Sequence, residues 1–127
     1  MYISDYGLNW LAGLMAGQEI TISLHTGAPG NSGTSNELSS TGGAAYARLA
    51  VAASDWSATG AIADNDANIV VFTPNATDAG AIVSHLGYWH GSSFFGWVPL
   101  AAPATLVSGT PFTLLAGTAD FAFRVES

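Results

Sequence analysis

The chain has 127 residues, enough for one domain around one core. Only 9% of them are charged, and the net charge is −7 with two cations, Arg48 and Arg124. That excludes a phosphate-neutralising basic surface and hence nucleic-acid binding. The absence of cysteine excludes disulfides and thiolate metal sites.

An average soluble domain carries about 25% charged residues. A chain with far fewer exposes small neutral or apolar surface, and large apolar patches mark contact with partners. The composition therefore predicts permanent assembly. No uncharged apolar run reaches the ~18 residues of a membrane helix. The N-terminus has no basic region ahead of its apolar part, so a signal peptide is not expected.

Residues 4–16 are predicted as a helix. Ser4 or Asp5 can cap its free amides, and Gly17 suits its stop. At about 100° per residue, Leu8, Trp10, Leu11, Leu14 and Met15 form one broad apolar face. Asp5, Asn9, Ala12, Gly13 and Ala16 form the other. The wide face is expected either in the chain's own core or against a neighbouring subunit.

The period then changes to two. Ile20, Ile22 and Leu24 alternate with Thr21 and Ser23, as in a half-buried strand. Residues 25–45 follow as an extended Gly-rich loop, which enters a second strand over 46–53. The apolar run Ile69–Phe72, stopped by Pro74, predicts a strand buried on both faces. Another strand spans Ala81–Trp89, with Ile82, Leu86 and Tyr88 on one side and Val83, His85 and Trp89 on the other. A turn at Gly91-Ser92 makes a hairpin with Phe94–Leu100, which Pro99 and Pro103 are expected to end. Ala104–Val107, Phe112–Leu115 and Ala119–Val125 complete about eight short strands. The expected fold is all-β. It is a single domain over residues 1–127, a β-sandwich or jelly-roll-like barrel with one short N-terminal helix.

Reactive constellations are absent from this pattern. His25, His85 and His90 fall short of the three or four ligands that zinc needs, because an odd separation puts His85 and His90 on opposite strand faces. Asp64-Asn65-Asp66 lacks the glycine and distal glutamate of a calcium loop. No Gly-x-Ser-x-Gly elbow is present, and no carboxylate pair stands out for glycoside hydrolysis. The glycines of the 25–45 loop come without the Gly-Lys-Ser/Thr of a phosphate cradle. We expect no catalytic, metal or cofactor-binding residues. Trp10, Trp56, Trp89 and Trp97 could stack on sugars, which keeps a carbohydrate-binding module as a distant alternative; core or interface positions are the commoner use of such rings.

Leu24-His25-Thr26-Gly27-Ala28-Pro29-Gly30, Asn36-Glu37-Leu38 and Tyr46-Ala47-Arg48 together resemble a family of small tailed-bacteriophage virion proteins, often labelled tail-fibre or minor tail proteins. Val71-Phe72-Thr73-Pro74, Val83-Ser84-His85-Leu86-Gly87, Pro99-Leu100-Ala101-Ala102-Pro103 and Leu106-Val107-Ser108-Gly109 continue the pattern through nearly the whole chain. Ala28 departs from it, where such proteins often carry an acidic residue. So does the compact turn at His90-Gly91-Ser92-Ser93.

The resemblance implies a non-enzymatic structural protein on the phage particle surface, made in the bacterial host cytoplasm. One compact domain without a shaft-like repeat favours a capsid cement (decoration) protein that clasps neighbouring subunits, with a small tail-fibre or minor tail protein as the alternative. The implied partners are the major capsid protein or tail proteins. By analogy with other symmetric virion sites, a homo-oligomer is expected, a trimer favoured. Leu8, Trp10, Leu11, His25, Pro29, Glu37 and Arg48 are the candidate interface residues. Glu37 and Arg48 are expected as members of an interface ion pair, against the plainer reading of an exposed surface pair.

Overall fold

A computed structural model of the chain describes residues 4–60 and 62–122. Among these, one helix precedes nine strands. Helix α1 is Asp5–Ala16; β1 is Ile20–His25, β2 Leu49–Val51, β3 Trp56–Thr59, β4 Ile62–Asn65, β5 Ile69–Phe72, β6 Ile82–His90, β7 Ser93–Thr105, β8 Phe112–Leu114 and β9 Asp120–Ala122. The fold is all-β with one N-terminal helix, as the periodicity predicts. The strands form a four-stranded sheet in the order β2-β1-β6-β7, a three-stranded sheet β3-β4-β9 and a pair β5-β8. Every named pairing is antiparallel.

One core joins the helix and all three sheets. Met15, Ile20, Ile22, Leu24, Val51, Trp56, Val71, Leu86, Tyr88 and Leu114 are all buried in it. Alternation in β1 explains the layer: Ile20, Ile22 and Leu24 face inward beside Tyr88 and Leu86 of β6. The helix begins where Ser4 Oγ accepts the Gly7 amide at 3.2 Å. It lies on β3 and β4.

Several expectations change. The buried stripe of α1 is Leu8, Ala12 and Met15, at i, i+4 and i+7. Tyr6, Trp10 and Leu14 point away from it and are 79%, 59% and 47% exposed. The broad face inferred from helical periodicity is therefore two stripes, and Ala12 belongs to the core because only a small side chain lets the helix approach the sheet.

The β5 run is not buried on both faces: Val71 is buried, but Val70 is exposed. The sides of β6 do not follow simple alternation either. A register shift between Val83 and His85 turns Val83 into the core with Leu86 and Tyr88, and leaves Ile82 exposed. Pro99 and Pro103 do not end a strand but lie inside β7, which runs on to Thr105. β7 is the edge of its sheet, where a missing amide hydrogen breaks no ladder. The second predicted strand shrinks to Leu49–Val51, while β3 and β4 form in a stretch to which the sequence reading assigns no strand. The predicted last strand is described only to Ala122; Phe123 and Val125 lie outside the described residues.

Candidate functional site

The outer face of the four-stranded sheet carries Ser23 and His25 of β1, His85, Gly87 and Trp89 of β6, and Phe94, Trp97 and Pro99 of β7, matched by register. Part of it is covered by the 26–48 segment. That segment was expected as an extended arm; it folds back on its own domain. Thr26 N donates to Asn36 O at 2.9 Å and Leu38 N to Leu24 O at 3.0 Å, with a bridge between His25 and Glu37. The return leg thus serves as a strand partner for the C-terminal half of β1, where short β2 does not reach.

Glycine and proline allow the fold-back at specific points. Pro29 is fully buried. Gly33 has φ +78° and packs against the Phe94 ring, leaving no room for a β-carbon.

A buried polar chain fixes the loop from below. The Ser35 carbonyl can only accept, so His25 Nδ1 carries the proton and donates to it at 2.8 Å. His25 Nε2 then accepts from Ser23 Oγ at 2.7 Å, and Ser23 Oγ accepts from Trp89 Nε1 at 2.9 Å. Gly87, directly across from Ser23, is bare because any β-carbon there would overlap Ser23 Oγ and His25 Nε2. Burial holds the His25 imidazole below its ordinary value of 6.5, against the opposing pull of the Ser35 carbonyl and the Glu37 carboxylate. His25 is a neutral structural group.

Above this polar network sits an ion pair between Glu37 and Arg48 of the same chain. Arg48 donates from Nε to Glu37 Oε2 at 2.9 Å and from its terminal nitrogen to Oε1 at 2.7 Å. Its guanidinium lies 3.8 Å from the Trp89 ring centroid. Tyr46 donates its hydroxyl to Glu37 Oε2 at 2.8 Å and accepts the Leu24 amide at 3.1 Å. Burial alone would raise the Glu37 pKa, but hydrogen bonds from Arg48 and Tyr46 outweigh it and hold the carboxyl below its ordinary range. The Tyr46 hydroxyl is pushed well up, mainly by burial.

The exit of the loop is pinned by a group that sequence reasoning missed. Buried Asp78 accepts the amides of Ala45, Tyr46 and Asn75, and Asn75 donates to Gly43 O at 2.8 Å. Asn65, expected in an acidic turn, is a buried hub at the end of β4. It donates to Ala67 O and Leu115 O and accepts from Ala119 N. An Asn or Asp followed by small residues is the only sequence signal for such a staple, and solvated turns share it.

The seven candidate interface residues separate. Leu8, His25 and Pro29 are buried within the chain, so they present no surface to a neighbour. Glu37 and Arg48 pair with each other, and Leu11 is half-buried. Trp10 alone of the seven is a large exposed apolar side chain. Of the tryptophans considered for sugar stacking, Trp56 is in the core and Trp89 lies under Arg48. Trp97 is partly exposed and edge-on to His85. Among the described residues no group of three or more His, Asp or Glu side chains could hold a metal ion. No described helix is long and apolar enough to cross a membrane.

The buried polar side chains of this site bind the chain to itself. These features define a β-rich domain with one N-terminal helix. Residues 5–122 match the family described as podophage GP4 fiber I protein gp80, and the chain belongs to that family. This is a phage fibre family, so its members are virion components, in accord with the resemblance drawn from the loop motifs. No curated protein matches the chain.

Proposed function

We propose that this protein is a non-enzymatic structural subunit of the tail-fibre apparatus of a tailed phage. The observation that carries the reading is the fibre-family match across nearly the whole chain. Two features support it: the low charge content and the large aromatic side chains left on the surface. The fibre alternative thereby gains over the capsid cement role that a single domain without a shaft-like repeat favours. The partners proposed are other tail proteins and further copies of the same chain, a trimer favoured. A cement protein would instead clasp the major capsid protein, and no extended arm is present among the described residues to do so.

Copy number per particle separates the two. Quantitative mass spectrometry of purified virions should give a few to a few tens of copies, consistent with tail symmetry. Hundreds of copies, in proportion to the major capsid protein, would overturn the fibre reading in favour of cement.

A further inference from the structure

Helix α1 has two apolar faces and one domain to cover them. Leu8, Ala12 and Met15 are buried, whereas Tyr6, Trp10 and Leu14 form an outward stripe at i, i+4 and i+8. Eight residues of helix extend the stripe over about 12 Å. At its C-terminal end, Leu14 turns into a pocket of about 310 Å³, lined also by Met15, Gln18, Ile20, His90 and Phe95. Neither stripe nor lining contains a carboxylate, lysine or arginine. Tyr6, Trp10, Leu14 and half-exposed Phe95 together present on the order of 400 Å² of largely apolar surface, taking about 150–250 Å² for a whole aromatic side chain. That is about the size of the largest apolar patch on a typical monomer, and such patches often serve contact. It is about half of one partner's share of a standard interface, and so suits the apolar centre of one.

We propose that a second copy of this chain covers this face, with Trp10 of one copy entering the Leu14–Phe95 pocket of the next. The surface carries both halves of the contact. Trp10 protrudes from the helix at 59% exposure. The hollow one turn along is ample for an indole, since a cavity of about 150 Å³ already accepts benzene. A projection and a hollow on the same helix cannot fill each other within one copy. Side by side on one patch, they can fill each other reciprocally across a two-fold axis, or the contact can repeat around a closed ring such as a trimer.

Charge gives the contact a recognisable signature. Asp5 and Glu19 flank the helix at its two ends, and each copy carries a net −7. Copies repel at long range, so added salt should tighten self-association by screening. A cationic foreign partner would show the opposite salt dependence.

The inference rests on the homo-oligomer proposed above, and the test keeps the two apart. Sedimentation equilibrium of the purified chain should show a cyclic oligomer that strengthens with salt. Trp10→Ser and Tyr6→Ser should each weaken association at least about tenfold, as loss of a central aromatic does. Circular dichroism should be unchanged, because both side chains are exposed. Val70→Ser, on exposed β5, should associate like the parent chain. An oligomer that persists unchanged in Trp10→Ser overturns this surface and leaves the oligomer standing. A parent chain that stays monomeric, or that dissociates as salt is added, overturns the self-contact itself.

Discussion

At the residue scale, the smallest side chains set the strictest conditions. Gly87 has an ordinary backbone; it is glycine because Ser23, His25 and the Trp89 indole share a closed space above it. Gly87→Ala should destabilise the fold by about 1–3 kcal/mol, the usual cost of overpacking. Gly96→Ala, whose β-carbon meets nothing within 4 Å, should change it by less than about 0.5 kcal/mol. Urea unfolding of the two variants checks the contrast, and equal effects would remove the buried chain from the account.

The titration of His25 has a definite sign. Its pKa is lower in the folded state than its ordinary 6.5, so the unfolded chain binds more protons on acidification. The stability from neutral His25 is therefore present above about pH 6.5 and is lost as pH falls toward the folded value. Glu37 acts in the same direction lower down: its contribution is present above 4.5 and lost below that. Unfolding free energy measured from pH 7 downward should fall in these two windows. A flat profile between pH 7 and 5 would contradict the neutral assignment of His25. The residues behind this behaviour were visible in the sequence, but their burial was not. His25 and Glu37 stand near Gly and Pro, a context that indicates a loop without showing where it folds.

At the element scale, the 26–48 segment is a cover for the sheet. It is held from below by His25 and above by Arg48, with Asp78 at its exit. Arg48 combines a two-pronged carboxylate contact with stacking on Trp89, a geometry that lysine cannot reproduce. Because its side chain is 35% exposed, the ion pair is partly screened, and each contact contributes about 1 kcal/mol or less. Arg48→Lys should thus lower global stability only slightly. It should speed amide exchange at Thr26 and Leu38, whose hydrogen bonds join the return leg to β1. Unaltered exchange there would show that the loop does not depend on the clasp.

Strand identity was legible wherever side chains alternate strictly, as in β1. It failed where the backbone breaks the pattern. The register shift in β6 reverses the sides of Ile82 and Val83, and nothing in their apolar character distinguishes them. The length of β7 was hidden because proline ends a central strand but is tolerated at an edge, and edge position is a property of the whole sheet.

For the whole molecule, composition already indicated a protein built for assembly, and the order of loop motifs indicated a phage family. The fibre match agrees with the phage family. The choice between capsid and tail was drawn from a single domain without a shaft-like repeat, which bounds the architecture and carries no information about its place in a particle. The loop expected to reach neighbouring chains packs on its own sheet, and the contact surface proposed above is instead the outer stripe of α1. Reconstructing the intact virion by cryo-electron microscopy, without imposing capsid symmetry on the tail, tests the account most directly. The account predicts density fitting this domain on the tail, in a cyclic cluster with the Trp10 face turned inward between copies. Density on the capsid shell, or isolated single copies with that face open to solvent, would contradict it.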